Sequence, residues 1–298
     1  MTDTLRDLVA AELAEPIEPR AAALAAAVAA RYPGAARAVL FYGSCLRESQ
    51  LDGLMLDFYL IVSDYRAAYG DSWLARANRL VPPNVFPFEA DGLAAKYAVL
   101  SETDFAQLCG PETDNPSVWA RFAQPARLAW AADAAATERA VEAIAQASPT
   151  LLARTLPTLE AEKDDPLDLW RAAFAFTYAA ELRAERTTRS GSIVDADPDR
   201  YRRFSGPVLE GARATAPARI ARDAALQGWR RTQRRGKMLT LLRLAKASAT
   251  FAGGLDYLAW KINRHAGTAI TIRPWQRRWP ILGAISLLPR LLARGAVR

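Results

Sequence analysis

Two near-continuous apolar runs, Val39 to Tyr42 and Leu54 to Val62, flank a short polar loop that opens with Gly43-Ser44. Short apolar runs without helical period predict strands covered on both faces, here residues 38–42 and 54–62. KYAVLS, residues 96–101, predicts a third strand, and the Pro-rich VPPNVFPFEADG before it reads as a loop. Ahead of these, helical spacing predicts helices over residues 3–14 and 20–31, the second Ala-rich and ended by Pro33-Gly34. From about Thr103 the pattern turns helical, with a break near Pro111 and Pro116. ATERAVEAIAQA (136–147) and PLDLWRAAFAFTYAAELRAE (166–185) predict two further helices, and DPDRYRRFSGPVL (197–209) reads as a polar connector. From Ala218 the chain is helical and basic, broken at Gly253-Gly254 and Gly267, with an irregular or interfacial end. The whole predicts an α+β protein: strands early, helices late.

Composition narrows the chemistry. The chain has 298 residues with 51% apolar content, enough for a sizeable core; abundant Ala and Arg read as the mark of a high-GC genome. Two cysteines, Cys45 and Cys109, and one histidine, His265, exclude zinc clusters, a CxxC redox pair and iron–sulfur sites by counting. A Ser/His/Asp triad would need His265, which lies in the basic tail. Cys45 follows Ser44, but with no nearby His to activate it the plainer reading is a small half-buried residue. The remaining candidates are carboxylates, a metal, and Lys or Arg. The acidic, amphipathic N-terminus reads as neither a signal nor a transit peptide, and no run approaches the ~18 apolar residues of a spanning helix.

Charge is uneven. Residues 227–298 carry 15 Lys and Arg against one acid, Asp256, whereas the rest carries 24 basic and 31 acidic residues. A mildly acidic body with a strongly basic tail implies an anionic partner. In the tail, Met238, Leu241, Leu242, Ala245 and Ala249 share a helix face, with Arg243 and Lys246 away from it. Further on, Trp275, Arg277, Arg278 and Trp279 precede short apolar runs, a profile suited to a membrane interface. Nucleic acid is the rival partner, since basic and aromatic residues also suit stacking and phosphate contacts; ILGAISLLPRLL favours the membrane.

One acid, Asp57, sits inside the second apolar run. A buried unpaired carboxylate is costly, so it should face a cleft, meet a partner or hold a metal. Strand, Gly-Ser, loop and acid-bearing strand together form the arrangement of the nucleotidyltransferase fold, in which Gly admits a phosphate to the backbone and Ser opens a helix. A structural turn is the plainer alternative for Gly43-Ser44, and a surface side chain for Lys96 and for Arg127, the latter on a helix.

FYGSCLR (Phe41 to Arg47), LMLDFYLIVSD (Leu54 to Asp64), AKYAVLS (Ala95 to Ser101) and PARLAW (Pro125 to Trp130) add detail, continued more loosely by TYAAELRAE and SIV. In these segments the sequence resembles the mitochondrial translocator-assembly-and-maintenance family of CDP-diacylglycerol synthases and their bacterial relatives. The resemblance covers most of residues 36–130. It implies a nucleotidyltransferase domain (1–130), a helical, winged-helix-like second domain (131–225) and a basic amphipathic membrane-associating region (226–298). It implies a phosphatidate cytidylyltransferase that uses CTP, phosphatidic acid and Mg²⁺ at an anionic membrane surface, peripheral on the inner, cytoplasmic face of a bacterial membrane. Gly43 and Ser44 would meet the triphosphate, Asp57 the metal, Lys96 an anionic phosphate, and Arg127 the nucleotide or the lipid headgroup. Tyr178, Glu181, Arg183 and Glu185 match a polar helix of the second domain. The sequence departs from the wider fold, whose strand carries two acids two residues apart: here Tyr59 and Met55 flank Asp57. Asp52 could supply a second carboxylate, or water and phosphates could complete the shell. A phosphate monoester, with a second pKa of about 6, needs no general base, which suits so sparse an inventory. The alternatives are an enzyme of this fold acting on RNA or a small molecule, or a non-catalytic membrane-surface or nucleic-acid-binding protein.

Overall fold

The computed structural model describes residues 3–48, 50–159, 165–180, 193–215, 221–250 and 271–278. Helices α1 (Asp3–Leu13) and α2 (Pro19–Ala30) lead into β1 (Ala36–Tyr42). A single 3₁₀ turn, Ser44–Arg47, and a loop precede β2 (Met55–Val62). Short helices α3 (Tyr65–Tyr69) and α4 (Trp73–Leu80) follow, then β3 (Asn84–Ala90) and β4 (Leu93–Ser101). Helices α5 (Glu102–Cys109) and α6 (Pro116–Phe122) precede β5 (Ala126–Ala131). Beyond it the described residues are helical: α7 (Ala134–Thr155), α8 (Pro166–Tyr178), α9 (Pro198–Thr215), α10 (Arg222–Thr250) and α11 (Pro274–Arg278).

The protein is therefore α+β, with a five-stranded mixed sheet in the order β3-β4-β2-β1-β5 and helices after it. β2 and β4 run parallel; the other neighbours are antiparallel. Alternation along the central strands divides the core. Phe41, Phe58, Leu60 and Val99 face α2, where Leu24 and Val28 are buried. Leu40, Tyr59, Ile61 and Leu100 face a larger cluster built with Trp119, Leu151, Trp170, Tyr201 and Trp229 of the later helices. Full burial of one such aromatic is worth about 1.5–3 kcal/mol. The first helix belongs to this second face too: Leu5, Val9 and Leu13, four residues apart, are buried there. Beside them Glu12 forms a buried ion pair with Arg200 of α9; Nη2 lies 3.0 Å from Oε1, and Nη1 donates to the Ala123 carbonyl at 3.1 Å.

Four expectations change. The Pro-rich segment is not a loop throughout but contains edge strand β3, whose Pro87 lies opposite Lys96. An edge strand tolerates a residue that cannot donate. Asp91-Gly92, both at positive φ (50° and 75°), close the hairpin to β4 as Asp-Gly commonly does. Residues 126–131 form a strand, not a helix, so Arg127 stands on β5. The segment read as a polar connector is helix α9: Pro198 occupies its first turn, and Tyr201, Phe204 and Val208 make its buried face. Its Pro207 sits inside the helix. Ser44 opens a four-residue 3₁₀ turn rather than an α-helix, so no helix N-terminus is built there to hold a phosphate.

Candidate active site

The end of β1 delivers Gly43 against β2. Gly43 has φ 94° and ψ −168°, a region that only glycine occupies readily. A Cβ built there would lie 3.2 Å from Asp57 Oδ2. The Gly-Ser corner and the strand acid are thus in direct apposition, and both the backbone angle and the free space require glycine.

Asp57 pairs in register with Tyr42 of β1 on one side and Lys96 of β4 on the other. The three side chains share the sheet face that looks toward the later helices. Lys96 Nζ lies 3.0 Å from Asp57 Oδ1, with the two side chains 35% and 21% exposed. Oδ1 accepts no hydrogen bond by angle, so this contact is charge against charge at short range. The acid inside an apolar strand is therefore answered by a cation on the neighbouring strand.

Tyr42, Tyr59 and Lys96 floor a cleft of about 230 Å³. Its other walls come from Pro83, from Ser117 and Arg121 of α6, and from Gly236, Thr240 and Arg243 of α10. Arg121 lies over the Tyr42 ring at 5.0 Å. Burial pushes the Tyr42 phenol well above its ordinary value, so it stays protonated at neutral pH. Arg243 Nε donates to the Pro82 carbonyl at 2.7 Å, and Lys246, one turn on, donates to the Val81 carbonyl. Burial lowers the Lys246 ammonium to about 7, with Arg243 nearby adding to the shift. Gly236 lets α10 approach α8's end so closely that a Cβ would be 2.5 Å from the Ala180 carbonyl oxygen.

Other candidates lie elsewhere. Asp52 is exposed and pairs with Arg20 at the start of α2, Nη2 to Oδ1 at 3.0 Å, which holds its carboxyl below the usual range. Arg127 pairs in register with Phe41, which faces α2, so it points away from Asp57; its guanidinium meets Glu15 and the Ala126 carbonyl. The Cys45 thiol is buried, donates to the Met55 carbonyl at 3.5 Å and is pushed up by burial, as is Cys109, which is not how a nucleophile is built. Ser44 is exposed at the corner. Trp275 is 45% exposed on α11, where the side chains of Arg277 and Arg278 are outside the described set. Tyr178 ends α8, whereas Glu181, Arg183, Glu185, Trp279 and His265 lie outside the described residues.

Sequence reasoning missed Ser117, Arg121 and Arg243 as cleft residues; lone polar side chains on helices carry no local signal. Met238 and Leu242 are 60% and 48% exposed on α10, and no helix among the described residues is long and apolar enough to cross a membrane.

The donor set sets limits on a metal. Among the described residues no three His, Cys, Asp or Glu side chains gather as ligands. One carboxylate fits an ion such as Mg²⁺ that draws its other ligands from phosphates and water, and does not fit a metal caged by protein alone. Chemically, the site offers the Asp57 carboxylate, its paired Lys96 ammonium and, on the helical walls of the adjoining cleft, two guanidinium groups, a set suited to binding phosphates. Scanned against known protein families the chain matches none, and no curated protein matches it.

Proposed function

We propose that this protein is a Mg²⁺-dependent phosphatidate cytidylyltransferase of the nucleotidyltransferase fold, with a winged-helix-like helical part, working at the inner surface of a bacterial membrane. The observation that carries the reading is the apposition of the Gly43-Ser44 corner with Asp57 and Lys96 at a cation-lined cleft. A phosphate oxygen of phosphatidic acid attacks the α-phosphorus of CTP, the bond from that phosphorus to the β-phosphate oxygen breaks, and pyrophosphate leaves with the electron pair. The acceptor is largely ionised near pH 7, since its second pKa is about 6, so no protein base is required. Asp57 would hold the Mg²⁺, which when bound supplies charge to the nucleotide phosphates. Gly43 leaves the backbone open to a phosphate, and the Ser44 hydroxyl is exposed to donate to it. Lys96 holds the Asp57 carboxylate in place and is near enough to meet an anionic oxygen. Exposed Met238, Leu242 and Trp275 in the basic tail support attachment to a lipid surface.

A non-catalytic phosphate-binding protein is favoured by one observation: among the described residues no three His, Cys, Asp or Glu side chains gather to hold a metal. The deciding experiment incubates the purified chain with Mg²⁺, labelled CTP and phosphatidic acid vesicles. A labelled lipid is the expected product. Tight CTP binding with no labelled lipid would favour the non-catalytic reading, and transfer to RNA instead would move the acceptor class.

A further inference from the structure

The two oxygens of Asp57 are held differently. Oδ1 is buried and accepts no hydrogen bond, although Lys96 Nζ lies 3.0 Å away. Oδ2 stands against Gly43, where a Cβ would be 3.2 Å from it. One oxygen is thus held by charge alone, and the other faces the space that a glycine keeps open. Parallel pairing of β2 with β4 sets Asp57 and Lys96 side by side in the sheet, so the two stay neighbours whatever their side chains do. Both side chains are only partly exposed, which leaves their charges less screened than at an open surface.

We propose that Lys96 makes this corner selective for a divalent cation that arrives together with phosphate, and turns away the bare ion. The proposal rests on the metal-and-nucleotide reading of the site and adds what governs entry of the metal. The ammonium cancels the charge of the carboxylate, so the pair has no net charge of its own with which to draw a free dication. A dication on Oδ2 would also sit beside a like charge. Among the described residues no three His, Cys, Asp or Glu side chains gather to offset that repulsion. A phosphate-bearing ligand reverses the sign. It brings oxygen ligands for the metal, and its remaining negative charge is attracted to the ammonium. Lys96 therefore opposes the metal alone and favours the metal with phosphate, which is a different role from simply steadying Asp57.

The test uses the full chain. Mn²⁺ binding is followed by electron paramagnetic resonance, counting only the signal that Asp57→Asn removes, and CTP binding by calorimetry with and without Mg²⁺. Mn²⁺ alone should bind the parent weakly. Lys96→Met should bind Mn²⁺ alone about tenfold or more tighter, and CTP with Mg²⁺ about tenfold or more weaker. A lysine that only supported the fold would not improve metal binding on removal. Lys96→Arg keeps the charge and should stay within about threefold of the parent in both measurements. Asp57→Asn gives the converse: its ammonium is released, so CTP without metal should bind severalfold tighter than to the parent. Should Lys96→Met fail to fold, judged by circular dichroism, metal-free CTP binding to Asp57→Asn decides the matter. Tight Mn²⁺ binding at Asp57 in the parent without phosphate overturns the proposal, as does unchanged or weaker Mn²⁺ binding in folded Lys96→Met. The expected binding pattern without any CMP transfer keeps this inference and removes the transferase reading. CMP transfer with Mn²⁺ affinity unmoved in Lys96→Met does the reverse, and no binding of metal or CTP under any condition removes both.

Discussion

Gly43→Ala tests the geometry of the site without touching a charge. Two costs arise. The backbone at φ 94° and ψ −168° lies where a Cβ is strained, worth about 1–3 kcal/mol. The new methyl would also stand 3.2 Å from Asp57 Oδ2, so the carboxylate must retreat by a few tenths of an ångström while Lys96 holds its other oxygen at 3.0 Å. The two can be separated. Asp57→Ala removes the crowded oxygen but leaves the backbone angle, so Gly43→Ala should cost about 0.5–1 kcal/mol less in that background. Urea unfolding followed by fluorescence gives each corner of the cycle, read as a midpoint change at constant slope. A cost under about 0.5 kcal/mol in the parent would mean the corner does not hold this conformation. Equal costs in both backgrounds would mean that Gly43 and Asp57 do not touch, and the site as described would dissolve.

Asp57→Asn should leave stability within about 1 kcal/mol and cut CMP transfer by about a hundredfold or more; near-normal turnover with normal Mg²⁺ dependence would remove Asp57 from the chemistry. Gly236→Ala should destabilise by about 1–3 kcal/mol, because the methyl would enter the Ala180 carbonyl at 2.5 Å. Gly228→Ala in the same helix, with nothing within 4 Å, should instead stabilise by up to about 1 kcal/mol; unfolding curves that rank the two the other way would refute the close helix contact. Lys246 is lowered to about 7 from an ordinary 10.5, so between those values the unfolded chain binds the proton that the folded one lacks, and stability rises with pH. Lys246→Met should flatten that rise in unfolding curves taken across the window; an unaltered slope would place the amine in water. Deleting the chain from Thr271 should abolish sedimentation with anionic vesicles while sparing transfer to a short-chain acceptor, and sedimentation equal to the parent's would show that the anchor lies elsewhere.

The central strands were legible because β1, β2 and β4 are covered on both faces and read as apolar runs. The edges were not. In β3 the prolines suggested a loop, although Asp91-Gly92 carried the hairpin signal; β5 is six residues, with Arg127 in place of an apolar residue. Residues 197–209 read as a polar connector, but the apolar spacing of Tyr201, Phe204 and Val208 prevailed and the segment falls within α9. The corner of the site was visible as Gly43, Ser44 and Asp57. What Lys96 does was not, since its place beside Asp57 follows from parallel pairing across the sheet. Asp52 and Arg127 looked equally eligible until their partners, Arg20 and Glu15, were known. Arg121 and Arg243 meet only through packing, which local pattern does not encode.

The Glu12–Arg200 pair bears on how the molecule is made. Its members stand 188 residues apart. A ribosome adding about 5–20 residues per second therefore needs about 10–40 s to supply the arginine after the glutamate has been made. Until then α1 cannot settle on the sheet without burying a lone carboxylate, which is strongly unfavourable. The first helix must wait, and the sheet face bearing Leu40, Tyr59 and Ile61 stays uncovered on that side. A nascent chain stopped before Arg200 should accordingly remain open to protease near its own beginning, however much of the sheet has already paired.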